Sequence, residues 1–205
     1  MADKIIPLED ISRIDFLDIT GSLHLSGWNR EEIRIKELDK ELKSNQKKNV
    51  LEISSLEDVL INIPHNLEVI IKSVNGDATI KGLRGGLEIK SISGDVIISD
   101  VSSLTAETIA GDLIGSRIQG DLRIKSVGGD SLIDSVQGQV ELKTAGGDVQ
   151  LDTIAGGIDV QACGDASAAF HPGPWQVYQL TAGGDLNLSI PADTNADLSI
   201  QSGSE

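Results

Sequence analysis

Apolar and polar positions recur with a period of nine residues from Ser73 onward. The chain cuts into SVNGDATIK, GLRGGLEIK, SISGDVIIS, DVSSLTAE, TIAGDLIGS, RIQGDLRIK, SVGGDSLID, SVQGQVELK, TAGGDVQLD and TIAGGIDVQ, which are nine nonamers and one octamer. With a one-residue gap after Ser103 in the octamer, the second, sixth and eighth positions are apolar apart from Ser131 and Gly115, and the fourth is glycine apart from Ser103. Apolar residues two apart predict a short strand with one buried face, and the glycine predicts a turn with unusual dihedral angles.

Odd and even units differ at the position after the glycine. Aspartate stands there in every odd unit, whereas the even units vary. The true repeat is therefore about 18 residues, with two strands and two turns per coil. Stacked coils of this kind hydrogen-bond to one another about 4.8 Å apart. The sequence thus predicts an all-β fold, a β-solenoid of about 18-residue coils that each contain two nine-residue strand-turn units.

Two other repeat folds fit the pattern less well. A hexapeptide helix needs an apolar residue at every sixth position, which this chain does not provide. Calcium-binding nonapeptide solenoids place aspartate two residues after the last glycine, whereas here it follows the glycine directly.

The first 72 residues are strand-like but lack the repeat. Segments such as RIDFLDI, VLINIP and LEVIIK alternate or run apolar between polar turns, which is typical of β-strands. We predict that residues 1–72 form a capping region of β-strands and that residues 73–205 form the solenoid. A Pro/Trp interruption, FHPGPWQVY near residues 170–178, breaks the repeat before TAGGDLNLS resumes it.

Two segments of the chain resemble each other, DVLINIPHNLEVIIKSVNG (58–76) and DLNLSIPADTNADLSIQSG (185–203). Pro64 matches Pro191, and Gly76 matches Gly203. Two interpretations stay open. Either the chain is a piece of a tandem protein, or its last coil presents an open edge that pairs with a strand from elsewhere.

The strand that ends in Ile63 and Pro64, followed by repeating S-x-x-G-D and x-x-x-G-x-[LV]-x-[IL] units, carries a family resemblance. At these motifs the sequence resembles the bacterial "putative adhesin" repeat family of unknown function, from Arg13 to the C terminus. It is more loosely similar to the toast-rack domains associated with cell-envelope stress proteins. The resemblance implies a β-solenoid with a binding or structural role and no catalytic residues. Many such relatives sit at or outside the membrane.

The charge of the chain narrows the choice of partners. With 17 basic and 32 acidic residues the net charge is −15, which repels phosphate backbones and anionic lipid headgroups. We therefore expect no nucleic-acid partner, and no membrane insertion, because no apolar run approaches the roughly 20 residues that span a bilayer. The start, MADKIIPLEDISR, lacks the basic-then-apolar plan of a secretory signal. The chain as written is expected to be cytoplasmic, and a removed leader would instead place it in the cell envelope or outside the cell.

Catalytic and metal-binding motifs are missing from the sequence. His24, His65 and His171 stand in three different contexts, without a second histidine at metal-ligand spacing. Cys163 is expected to be a buried core thiol at an inward position of ACGDASAA. We therefore expect a protein that is not an enzyme, with no catalytic, cofactor-binding or metal-binding residues and no cofactor.

A column of aspartates is the most regular polar feature. In a solenoid its members stack along one edge about 5 Å apart, where like charges repel by under about 1 kcal/mol per neighbouring pair. One interpretation is a structural turn ladder, in which each carboxylate accepts hydrogen bonds from N–H groups of the turn. The other is that divalent cations bridge adjacent coils. The column consists of Asp77, Asp95, Asp112, Asp130, Asp148 and Asp165.

The outward seventh position separates the two faces of the solenoid. Even units carry Glu88, Thr105, Arg123, Glu141 and Asp159, and odd units carry Thr79, Ile97, Ile114, Leu132 and Gln150. The even set predicts a solvated surface. The three large aliphatics Ile97, Ile114 and Leu132 predict either an exposed stripe that serves as an interface, or one that is covered within the same chain by the N-terminal strands or by FHPGPW.

Two classes of function remain. The first is a non-catalytic structural or interaction module, a rigid β-solenoid scaffold of adhesin-like or envelope-related kind that binds a protein partner or assembles with itself. The alternative is a polysaccharide-binding or polysaccharide-processing β-helix protein. Only 2% of the residues are aromatic, and no close carboxylate pair stands out as acid and base, so the first class is favoured. A sugar site would use Trp28, Trp175 or Tyr178.

Overall fold

The chain winds into two β-sheets that face each other, as seen in a computed structural model. The structure describes residues 3–8, 10–36, 42–192 and 194. These residues contain 21 strands and no helix, so this part of the chain holds no helix that could cross a membrane.

The strands are, in chain order, β1 (Asp3–Pro7), β2 (Arg13–Ile19), β3 (Leu23–Trp28), β4 (Glu32–Lys36), β5 (Lys43–Lys47), β6 (Val50–Ser55), β7 (Val59–Pro64), β8 (Glu68–Ile71), β9 (Ala78–Lys81), β10 (Leu87–Ile92), β11 (Val96–Val101), β12 (Leu104–Ile109), β13 (Leu113–Ile118), β14 (Leu122–Val127), β15 (Ser131–Val136), β16 (Val140–Ala145), β17 (Val149–Ile154), β18 (Ile158–Ala162), β19 (Ala166–Phe170), β20 (Tyr178–Ala182) and β21 (Leu186–Ser189).

Successive strands of the repeat alternate between the two sheets. Sheet A has the order β1-β4-β7-β3-β9-β11-β13-β15-β17-β19-β21, and sheet B has the order β20-β18-β16-β14-β12-β10-β8-β2-β6-β5. From β8 onward, each strand pairs in parallel with the strand two further along the chain, as in Val96 with Leu113 and Leu113 with Ser131. These partners are 17 and 18 residues apart. The prediction of a β-solenoid with coils of about 18 residues is therefore confirmed.

The first coils are assembled out of chain order. Strands β2 and β3 form a coil that pairs in parallel with β8 and β9 on one side and with β6 and β7 on the other. The edge of this stack is closed by antiparallel strands, β1 and β4 in sheet A and β5 in sheet B. Residue 72 therefore marks a change of sequence pattern, and both sheets continue across it. The antiparallel strands that cap the edge are residues 3–7, 32–36 and 43–47.

The structure describes all of the first of the two similar segments and only the beginning of the second. The first contains β7 and β8, and the second begins with β21. Most of the second segment beyond Pro191 lies outside the described residues, so the choice between a tandem protein and an open edge stays a prediction.

Alternation along each strand builds the core. In β11, Val96, Ile98 and Val101 are buried while Ile97 and Asp100 are exposed. The same pattern recurs in β12, β13 and β17. The buried side chains of the two sheets meet in one continuous apolar core, and removing this surface from water is the main force that stabilises the fold.

Ser131 interrupts the apolar pattern inside the core. Its side chain is 2% exposed, and its hydroxyl oxygen has no hydrogen-bond partner among the described residues. Its neighbours in register are Leu113 and Val149. Valine at this position is expected to raise the free energy of unfolding by about 1–2 kcal/mol, because it removes an unsatisfied buried hydroxyl and adds apolar contact. Urea unfolding of Ser131→Val would measure the change. Ser131→Ala should give a smaller gain, and a destabilised valine variant would show that the hydroxyl has a partner.

The turns use glycine differently from the prediction. Positive φ angles lie at the first position of the even units, at Gly82, Asp100, Arg117, Ser135 and Thr153. Gly82 is the one described glycine with a positive φ, so the glycines at the fourth position do not supply unusual dihedrals. They supply space. A Cβ on Gly94 would overlap Asp77 Oδ1 and lie 2.7 Å from the Gly76 carbonyl oxygen of the preceding coil.

Cys163 is exposed, so the prediction of a buried core thiol is wrong. Ala162 occupies the inward position instead, and it pairs in register with Ala145. The unit ACGDASAA has one residue fewer than a full repeat. The shortening falls before Ala162, which moves Cys163 one place along, into the solvent-exposed turn.

Candidate interaction surface

The outer face of sheet B carries a network of ion pairs. The Lys90 ammonium contacts the carboxylates of Glu88 and Glu107, and the Lys143 ammonium lies 2.6 Å from Asp159 Oδ2. The hydrogen bonds that the Lys90 ammonium donates to Glu88 and then to Glu107 raise the pKa of Lys90, and the bond to Glu107 lowers the pKa of Glu107. These groups are open to solvent, so each pair contributes little to stability. This face is a solvated surface.

The outer face of sheet A carries an aliphatic stripe, which consists of Ile97, Ile114 and Leu132. Their exposed fractions are 46%, 43% and 41%. The three residues are direct neighbours in register on β11, β13 and β15, with Thr79 and Gln150 on the flanking strands. Neither the N-terminal strands nor the FHPGPW segment covers them in the described part of the chain. Three large apolar side chains that are adjacent in register on an open face are unusual for a monomer surface.

The six aspartates lie along one edge of sheet A and are joined by hydrogen bonds from coil to coil. The backbone N–H of each aspartate donates to Oδ1 of the aspartate one coil earlier. Asp95 N lies 2.9 Å from Asp77 Oδ1, and Asp130 N lies 2.8 Å from Asp112 Oδ1. The same bond links Asp112 to Asp95, Asp148 to Asp130 and Asp165 to Asp148. Each carboxylate thus satisfies an N–H group of the next turn, which offsets part of the repulsion between neighbouring charges.

The ladder extends beyond the six residues that the repeat singled out. Asp185 N donates to Asp165 Oδ1 at one end. At the other end, Asp77 N donates to the Ser22 hydroxyl, and Ser22 N donates to Asp58 Oδ1. Asp185 could have been found from TAGGD at residues 181–185. Ser22 and Asp58 could not, because their strands join the stack out of chain order.

A shallow groove of about 630 Å³ brings the ladder and the stripe together. Its lining includes Asp112, Asp130 and Asp148 from the ladder and Ile114 and Leu132 from the stripe. No lysine, arginine or histidine lines it. No donor among the described residues bonds to the second carboxylate oxygen of these aspartates. The groove therefore presents a row of free carboxylate oxygens next to an apolar strip.

Residues for catalysis or metal binding are not brought together in the described chain. His24 lies on sheet A opposite Thr79 and Leu60. His65 Nδ1 donates to the Trp28 carbonyl oxygen at 3.0 Å, since that oxygen can only accept. Within the residues that the structure describes, no group of three or more histidine, cysteine, aspartate or glutamate side chains could hold a metal ion. Bridging cations on the aspartate ladder stay a hypothesis.

A single bond of the same kind lies on the opposite edge. Gln139 N donates to Asp121 Oδ1 at 2.9 Å. This bond, followed by the charge and hydrogen bond of Arg123, lowers the pKa of Asp121. Asp121 is the one aspartate at this position of the even units, and it makes the same contact as the ladder aspartates.

A comparison with family models agrees with the sequence resemblance. Residues 19–205 match the family model named Toastrack DUF4097. Among solved structures, one described as "a putative adhesin" from Bacteroides fragilis NCTC 9343 is 15% identical, covers 93% of this chain and 96% of its own, and has a TM-score of 0.48. One described as "a putative cell adhesion protein" from Clostridium sporogenes ATCC 15579 is 14% identical, covers 93% and 98%, and has a TM-score of 0.30. A comparison with curated proteins gives no match.

Proposed function

The chain belongs to the Toastrack DUF4097 family, and on that premise we propose that it is a non-catalytic interaction module whose groove on sheet A binds a cationic, partly apolar segment of another protein. The aliphatic stripe beside the aspartate ladder carries this proposal. Ile114 and Leu132 in the groove, with Ile97 beside it, supply apolar surface to bury, and the free carboxylate oxygens supply charge. The stripe lies on paired strands, and the aspartates lie in turns that hydrogen bonds join from coil to coil, so binding costs little ordering of this chain.

Charge favours a partner over a second copy of the chain. The protein carries a net charge of −15, and two copies of this groove placed face to face would oppose carboxylates to carboxylates. Like charges brought together in this way disfavour association, whereas lysine or arginine on a partner would be attracted. Self-assembly through the aliphatic stripe is therefore an outcome that the experiments below separate from partner binding.

A catalytic role finds no support in the groove. The ladder aspartates all make the same contact with the next backbone N–H, as Asp112, Asp130 and Asp148 show. Hydrolysis of a glycosidic bond needs two carboxylates in different environments, one as acid and one as base or nucleophile. In a row of equivalent carboxylates, no pair has the different environments that an acid and a base require.

Sedimentation velocity over a wide concentration range is the first test. We expect a monomer throughout, because the groove has no basic surface to meet in a second copy. If the mass of the wild type rises with concentration and that of Ile114→Ser stays constant, the stripe binds a second copy of this chain and not another protein.

Peptide binding tests the chemistry of the groove. The probe is a labelled strand-length peptide of alternating lysine and leucine, and the control peptide has glutamate for lysine. We expect the cationic peptide alone to bind, and Ile114→Ser to weaken it about tenfold. The matched control is Thr105→Ser, at the equivalent outward position of sheet B, which should bind as the wild type does.

The salt dependence completes this test. At about 1 M salt the screening length falls to about 3 Å, so binding through the carboxylates should weaken strongly. Equal binding of the two peptides, or equal loss in the Ile114 and Thr105 variants, would contradict the proposal.

A further inference from the structure

One turn of the solenoid is longer than the others. Ile154 and Ile158 pair in register with Phe170 and Tyr178. Between the first two lie three residues, and between the second two lie the seven residues 171–177. We call residues 171–177 the Trp175 loop. It lies on the edge opposite the aspartate ladder.

The Trp175 loop is held in place from both ends. The Gly173 N–H donates to the Tyr178 hydroxyl at 2.9 Å, and the rings of Phe170 and Tyr178 stack with centroids 4.5 Å apart. The Ile158 N–H donates to the Val177 carbonyl oxygen at 3.0 Å, which ties the loop to the preceding coil. Pro172 and Pro174 within the loop restrict the backbone further.

Trp175 itself is fully exposed, at 101% of its reference area. Its φ is 66°, a left-handed conformation that is rare for a bulky residue. Unusual backbone conformations of this kind persist where the surroundings enforce them, and they cluster at binding sites. The indole therefore stands on a constrained support with both faces open to solvent.

The two turn segments that meet at the Trp175 loop carry no acidic residue, lysine or arginine in a protein that is otherwise strongly acidic. Residues 153–157 and 171–177 contain no aspartate, glutamate, lysine or arginine. Gln176 lies against Gly157, since a Cβ there would be 3.3 Å from Gln176 Oε1. Gln139 holds the position equivalent to Gly157 one coil earlier, and both it and Gln137 are exposed. This part of the edge thus offers one fully exposed indole together with amide groups.

We propose that the Trp175 loop is a second binding site, which takes a neutral polysaccharide by stacking a pyranose ring on the indole while nearby glutamine amides bond its hydroxyl groups. The negative face of an indole attracts the polarised C–H groups of a sugar ring. Amides donate and accept hydrogen bonds without charge, as hydroxyl groups require. Residues 153–157 and 171–177 offer no aspartate, glutamate, lysine or arginine to pair with a charged ligand. The site is independent of the groove on sheet A.

Affinity electrophoresis tests the site with defined probes. The gels contain galactomannan, xyloglucan or a soluble β-1,3-glucan, with alginate as an anionic control. We expect at least one neutral polymer to retard the wild type and to shift its tryptophan emission to the blue. Trp175→Ala should lose affinity about tenfold or more. Trp175→Tyr keeps a ring and should retain most of the retardation.

The controls separate this site from the groove and from folding. Because Trp175 is fully exposed, its alanine variant should unfold at the same urea concentration as the wild type. Ile114→Ser should leave polysaccharide binding unchanged, even where peptide binding is lost. No retardation by any neutral polymer would overturn the proposal. Full retention of polysaccharide binding in Trp175→Ala would also overturn it.

Discussion

Alanine in place of Gly111 is expected to lower the free energy of unfolding by about 3 kcal/mol, although it adds a single methyl group at a turn. A Cβ there would overlap Asp95 Oδ1 and lie 2.7 Å from the Gly94 carbonyl oxygen. Gly111 has no positive φ, so the cost comes from packing between coils and not from the backbone angle. Relief of the overlap would break the bond from Asp112 N to Asp95 Oδ1 and separate the two turns. Urea unfolding followed by circular dichroism would measure the change.

The matched control for this variant is Gly86→Ala. A Cβ on Gly86 would meet no atom within 4 Å. Alanine there should leave stability unchanged or raise it by up to about 1 kcal/mol, because it restricts the unfolded chain. Equal destabilisation at Gly86 and Gly111 would mean that these turns need glycine for its backbone freedom.

Alanine in place of Phe16 is expected to cost about 3–5 kcal/mol, the range for removing a large buried aromatic side chain. Phe16 is fully buried in β2 and pairs in register with Ile53 of β6 and Ile71 of β8. It therefore lies in the coil that joins the N-terminal strands to the regular repeat. The cavity should loosen this junction first.

Hydrogen exchange would locate the effect of Phe16→Ala. Amides of β6 and β8 should lose protection, while those of β15 and β17 should change little, because each coil contacts only its neighbours. Phe16→Leu should cost less, since it fills part of the space. Uniform loss of protection along the chain would instead indicate a fold that unfolds as one unit.

The repeat made the solenoid predictable because its chemistry is local and periodic. Apolar positions two apart define the inward face, and their return after nine residues defines the coil. The outward direction of Ile97, Ile114 and Leu132 follows from the same alternation. What alternation cannot specify is which elements cover a face, and the exposure of the stripe could be read only from the assembled strands.

The remaining differences have identifiable physical causes. Strands β2, β3, β6 and β7 lack the repeat, so nothing in the sequence orders them, and pairing over long distances decides their places. Glycine was expected to take the unusual dihedrals because it does so most easily. Instead Arg117 and Thr153 adopt them at the corners, and glycine is needed where turns of adjacent coils touch. Cys163 was misplaced because a shortened unit leaves the position of its gap ambiguous.

The hydrogen bonds between successive aspartates allow the number of coils to change during evolution. Every link of the ladder is the same contact repeated after 17 or 18 residues, as between Asp95, Asp112 and Asp130. If one whole coil were lost or duplicated, the aspartates on either side would still form the same N–H to Oδ1 hydrogen bond. Each remaining turn would therefore keep a hydrogen-bond partner. In evolution, the groove on sheet A could therefore lengthen or shorten in steps of one coil while its cross-section stayed the same. Such a module can be fitted to partners of different size without redesign of its core.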